Sequence, residues 1–173
     1  VELENYSHDL IYELPVAPSP NLPNQKAIYL YPSLCYFEGT VVSEGRGTDK
    51  PFQQFGYPKM PNGNTSFTPK NIKGVASNPK FEGKECAGVD LSTFAEDSLR
   101  ALSKLNLEWL VSAYQNYPEK EKFFDKKFFD LLAGSSELRE QIVAGKTADE
   151  IRETWQTELI EFKMKRKKYL LYP

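Results

Sequence analysis

Apolar residues recur at helical spacing through the second half of the chain. Leu107, Leu110, Val111 and Tyr114 share one face, and Pro118 ends that run. Ser135–Ala144 reads as a short helix closed by Gly145. Thr147, followed three residues later by Glu150, is a capping box. It opens a helix whose Ile151, Trp155, Leu159 and Phe162 are expected to face inward. The run Lys163–Lys168 (KMKRKK) falls at the end of that helix, where cations complement the backbone dipole. Tyr169–Tyr172 is expected to tuck back against the fold. Phe123, Phe124, Phe128 and Phe129 form a dense aromatic cluster. Core packing is its ordinary role, and a platform for a sugar ring is the sharper one.

The first half has a different texture. Asp9–Leu14 mixes apolar and polar positions as a short strand does. Pro15, Pro18, Pro20 and Pro23 then make extended chain that cannot join a hydrogen-bond ladder, either a linker or an ordered strap. Asn24 is a helix cap, and Ala27, Leu30, Tyr31, Leu34 and Phe37 follow at helical spacing. Pro32 is expected to kink this helix. The helix delivers Glu38 at its C-terminal end, just before Gly39. A carboxylate there meets the unfavourable end of the dipole, so its pKa should rise unless Arg46 or Lys50 compensates. Phe52–Phe55 reads as a strand, Met60–Ser66 as a turn, Glu85–Leu91 as a buried strand and Leu99–Leu102 as another. The predicted class is α+β, a small mixed sheet with three or four helices and long ordered loops, in one domain spanning residues 1–173.

Composition narrows the function classes. Of the 173 residues 40% are hydrophobic, enough to bury a core. A net charge of −2 provides no overall field for nucleic acid or an anionic membrane. No apolar run reaches the roughly 18 residues of a membrane span, and no basic, apolar leader opens the chain at Val1. The two cysteines, Cys35 and Cys86, have no metal-ligand spacing, and His8 is the single histidine, so no metal site is expected. Two buried thiols are the plain reading, with a Cys35–Cys86 disulfide open if the protein is exported.

The chemistry concentrates in Glu38–Gly56. Glu38, Glu44, Arg46, Asp49 and Lys50 are interrupted by Gly39, Gly45 and Gly47. Each glycine costs a helix interior about 1 kcal/mol relative to alanine, so this is a shaped loop carrying both signs of charge. Glycine also lets a ligand approach the backbone. A solvated surface loop has the same composition, with Glu44 and Asp49 as caps or ion-pair partners of Arg46 or Lys50.

LYPSLCYFEGT (Leu30–Thr40) followed by SEGRGTDKPFQ (Ser43–Gln53) resembles the signature of the NamZ-type exo-β-N-acetylmuramidases, bacterial glycosidases of peptidoglycan turnover. SPNLPN (Ser19–Asn24) precedes it, and CAGVDL (Cys86–Leu91), FFDLLAGSSELREQI (Phe128–Ile142) and KYLLYP (Lys168–Pro173) follow in the family's order. The resemblance implies a two-domain enzyme with a Rossmann-like domain first, and this chain matches the second domain. It implies removal of terminal, non-reducing N-acetylmuramic acid from peptidoglycan fragments, without a cofactor and outside the cytoplasm. The principal catalytic carboxylates would come from the preceding domain, a partner within the same precursor, with this chain forming one wall of an interdomain cleft.

Within the signature Glu38 is the candidate catalytic carboxylate, since it sits between an apolar segment and a glycine. Arg46 is the candidate for bidentate recognition of the lactyl carboxylate that distinguishes muramic acid from glucosamine. Gly45 and Gly47 would turn backbone N–H groups toward the same anion. Thr48 and Gln53 are candidates for sugar hydroxyls or the acetamido group, and Asp49 belongs to the same set. An internal pair between Arg46 and Glu38 or Asp49 is the plainer alternative. A different class of reading makes the chain a non-catalytic module that binds cell-wall glycan or docks another domain. The two differ in whether Glu38 and Arg46 open together into a concavity or lie buried as a pair.

Overall fold

Three short strands form an antiparallel sheet: β1 (Gln54–Tyr57), β2 (Thr65–Phe67) and β3 (Cys86–Asp90), in the order β1-β3-β2. The computed structural model describes residues 4, 6, 7, 10–101 and 103–172. Phe55 sits opposite Val89, and Gly56 sits opposite Gly88. That glycine pair is forced by close approach, since a Cβ on Gly56 would meet the Ala87 carbonyl at 2.3 Å.

Seven α-helices surround the sheet among the described residues: α1 (Gln25–Leu34), α2 (Glu96–Ala101), α3 (Glu108–Asn116), α4 (Lys126–Ala133), α5 (Glu137–Val143), α6 (Ala148–Thr154) and α7 (Gln156–Arg166). The α+β class is as expected, but the sheet is antiparallel throughout and the helices are shorter and more numerous. Asn24 caps α1 by accepting the Ala27 N–H at 2.9 Å. Pro32 lies inside α1 and removes one ladder donor; after Leu34 the chain tightens into the 3-10 turn Cys35–Gly39. The capping box of Thr147 and Glu150 opens α6.

The core centres on Phe37, which is fully buried and stacks on Phe55 at 4.7 Å between ring centroids. Leu30 and Leu34 of α1, Leu110 of α3, Phe129 of α4 and Ile151 of α6 are buried in the same cluster. Full burial of a side chain such as Phe37 contributes about 1.5–3 kcal/mol. The core thus fixes the end of α1, where Glu38 emerges, against the sheet and α4.

Several expected elements differ. Residues 10–14 form no strand, because among the described residues no strand lies beside them and their apolar side chains are exposed; Asp9 lies outside the described residues. The proline segment is an anchored strap where it meets the fold, with Asn21 donating to the Val75 carbonyl at 2.9 Å. Phe52 occupies a turn with φ of 53°, so β1 begins only at Gln54. The turn read over Met60–Ser66 ends in β2. Leu99 lies in α2 rather than a strand, with Glu96 and Asp97 in the first turn and Arg100 in the last, as the dipole favours. Leu102 lies outside the described residues. Trp155 breaks the last expected helix in two, so only Ile151 of that pattern is fully buried, while Leu159 and Phe162 on α7 are exposed. At the C-terminus Tyr169, Leu170 and Leu171 are exposed, and Tyr172 meets the ring of Tyr6.

Candidate functional site

Glu38 is placed by the 3-10 turn that α1 runs into, and backbone bonds to the start of α4 hold the turn's exit. Asp125 N–H donates to the Gly39 carbonyl at 3.0 Å, and Val41 N–H donates to Phe123 at 2.9 Å. Gly39 lies so close to α4 that a Cβ would meet the Phe129 Cα at 2.7 Å. Beyond it, Ser43 and Gly56 exchange two backbone hydrogen bonds of 2.9 Å, and Phe52 N–H donates to the Glu44 carbonyl at 2.8 Å. Between these clamps Arg46 is flanked by Gly45 and Gly47, with φ of 78° and 82°. A Cβ on Gly47 would also meet the Lys70 carbonyl at 2.6 Å.

This brings four charges together. Arg46 Nη1 lies 3.7 Å from Glu38 Oε2, and the two side chains are 36% and 20% exposed. The buried Glu44 pairs with Lys80 at 3.0 Å. Lys80 Nζ also donates to the carbonyls of Phe37 (2.6 Å), Val42 (3.0 Å) and Glu38 (3.2 Å). It therefore caps the 3-10 turn and screens the carbonyl end that bears Glu38. Burial holds the Glu38 pKa above the ordinary carboxylate value, and the charge of Glu44 adds to the rise; Arg46 and Lys80 oppose it without cancelling it. Burial, with the charge of Glu38 behind it, pushes the neighbouring Cys35 thiol up to about 11. Cys35 and Cys86 are both free thiols.

Glu38, Glu44, Arg46, Asn78, Lys80 and Phe128 line a concave pocket of about 200 Å³. That is smaller than the roughly 300–1,000 Å³ of a complete small-ligand site. Glu38 and Arg46 thus open together into one concavity while touching each other at the long end of ion-pair distance.

The other signature residues stand apart from this pocket. Gly45 N–H donates to Ser43 Oγ at 3.3 Å, and the Gly47 carbonyl accepts from Lys70 at 2.8 Å. Thr48 Oγ1 donates to the Gly45 carbonyl at 2.6 Å and accepts from Gln54 at 2.9 Å. Gln53 is buried and accepts from the cap residue Asn24 at 3.3 Å. Asp49 is exposed and lines a separate groove with Thr48 and Lys70. Lys50 pairs with Asp90 at 2.7 Å rather than with Glu38. Burial works against the Asp90 carboxylate, but hydrogen bonds from Lys50 and Ser92 outweigh it and hold the pKa below the usual value.

Lys80 and Asn78 were not among the sequence candidates, and Phe128 entered only as one member of the aromatic cluster. The first two lie in the long proline- and glycine-rich stretch between β2 and β3, and loops of such length are commonly functional. Among the described residues no group of three or more His, Cys, Asp or Glu is placed to hold a metal ion. Among them no helix is long and apolar enough to cross a membrane.

Comparison with known proteins gives concordant matches. The family described as exo-beta-N-acetylmuramidase NamZ, C-terminal, matches residues 29–172. The peptidoglycan beta-N-acetylmuramidase NamZ of Bacillus subtilis (strain 168) is 33% identical over 167 residues, covering 91% of this chain and 40% of that protein. A crystal structure of a DUF1343 family protein from Bacteroides fragilis NCTC 9343 superposes with a TM-score of 0.90 at 48% identity, covering 98% of this chain and 47% of that one. A second such protein from the same organism shares the fold, with a TM-score of 0.67 at 20% identity, over 91% of this chain and 45% of that one. The chain therefore spans less than half the length of each of these relatives.

Proposed function

Because the chain belongs to the family of NamZ C-terminal domains, we propose that it forms one wall of the active-site cleft of an exo-β-N-acetylmuramidase. The complete enzyme removes terminal, non-reducing N-acetylmuramic acid from peptidoglycan fragments outside the cytoplasm. The observation that carries this reading is the shared opening of Glu38 and Arg46 into one pocket. Its small volume suits half a cleft, with the other wall supplied by a preceding domain.

Glycoside hydrolysis generally needs two carboxyl groups across the scissile bond, one holding a proton. Glu38, with its raised pKa, suits the proton-holding role at this wall, as donor to the glycosidic oxygen or to a sugar oxygen beside it. The second carboxylate comes from the preceding domain. Arg46 reads the lactyl carboxylate. Its contact with Glu38 is long, and both groups are partly solvated, so a substrate carboxylate can take the guanidinium over. Losing that cation raises the Glu38 pKa further, so substrate binding itself favours the protonated acid. Gly45 and Gly47 set the loop that carries Arg46, and Thr48 and Gln53 brace its base.

The test is discrimination between two substrates in the two-domain protein. Arg46→Lys keeps the charge but loses the planar fork. Its kcat/KM should fall about tenfold or more on a muramoside and stay near wild type on any matched glucosaminide the enzyme accepts. An unchanged kcat/KM on the muramoside would overturn the role of Arg46.

A further inference from the structure

The aromatic cluster of residues 123–129 divides sharply in the fold. Phe123 and Phe129 are fully buried, and Phe124 packs between Phe129 and Tyr114. Phe128 is 43% exposed, yet it lines the Glu38–Arg46 pocket. Its backbone is anchored. Its N–H donates to the helix cap Asp125 at 3.1 Å. The next residue, Phe129, is locked into the core against Gly39, one residue from Glu38. The helix turn that carries the ring is thus held by the same contact that places the carboxylate, while the ring contributes little to the core itself.

Resting on the function proposed above, we infer that Phe128 is the stacking face for the pyranose ring of the N-acetylmuramic acid residue. One face of a pyranose carries C–H groups that suit an aromatic ring, while its edge carries the hydroxyls and the lactyl ether. Phe128 meets that face. Arg46 meets the carboxylate at the edge, and Glu38 lies beside both. Stacking fixes the plane of the sugar, and the Arg46 contact fixes its rotation within that plane.

The test uses the two-domain protein with Phe128→Leu, which keeps an apolar side chain but removes the ring, and Phe128→Tyr, which keeps the ring. The Leu variant should raise KM for a muramoside about three- to tenfold with kcat little changed. The Tyr variant should stay within about twofold of wild type. Nuclear Overhauser contacts between the Phe128 ring and the sugar ring protons should appear in the wild-type complex. A wild-type KM in the Leu variant overturns the stacking role, as does an equal loss in both variants. A ring buried against the preceding domain instead would lower the unfolding temperature of the Leu variant at unchanged KM, which also overturns it. A wild-type protein that neither binds nor cleaves muramosides overturns the underlying function, and the stacking role with it.

Discussion

Lys80 Nζ lies 3.0 Å from Glu44 Oε2, joining two residues thirty-six positions apart in sequence. Because the same ammonium also caps the carbonyls behind Glu38, this pair both lines the pocket and clasps the loop beside it. Removing one partner of a buried ion pair costs about 3–5 kcal/mol, and the 29% exposure of Lys80 scales this to about 2–4 kcal/mol for Lys80→Met. Denaturant unfolding should show that loss. The added substitution Glu44→Gln removes the stranded charge, so the double variant should recover at least about 1 kcal/mol of it. Additive losses would mean that the two side chains are not coupled.

Glu38 gives a pH signature. Its folded pKa lies above the ordinary value, so the folded state holds a proton that the unfolded chain has released. Stability therefore falls as pH rises through the window between the two values, the reverse of an ordinary paired carboxylate. Glu38→Gln abolishes the titration. The variant should gain on wild type as pH rises above the ordinary value of 4.5, when unfolding free energies are compared at successive pH values. A gap that does not change with pH would place Glu38 in a solvated, unperturbed setting.

Helix starts were the most legible part of the fold. Asn24 and the Thr147–Glu150 box sit where local hydrogen-bond chemistry demands them, and the structure uses both as caps. The strand around Cys86 and Val89 likewise followed from its apolar run, although Val89 is only half-buried. The approach of Arg46 to Glu38 was legible as one of two alternatives, because glycines confined both charges to a short loop. Lys80 was not legible. Its four acceptors come from a turn and a loop that meet it only in three dimensions.

Periodicity misled where the apolar face stays exposed among the described residues. Leu159 and Phe162 carry helical spacing, but among the described residues α7 buries no side chain. The strand expected near residue 10 failed for the related reason that a strand needs a neighbour, and none lies alongside among the described residues. Within 123–129 the sequence could not separate core from surface. The register of α4 against Gly39 does so, turning Phe129 inward and leaving Phe128 at the pocket.

The most direct measurement is release of N-acetylmuramic acid from a chromogenic muramoside, by this chain alone and by the polypeptide that joins it to a preceding domain. On the proposed reading the chain is a half-cleft with one candidate carboxylate and requires the second wall. The joined protein should release the sugar, and the chain alone should show no turnover above background. Turnover by the chain alone would place both catalytic carboxyl groups within it. A joined protein that binds muramyl glycan without cleaving it would make this domain a binding module and contradict its place in a glycosidase.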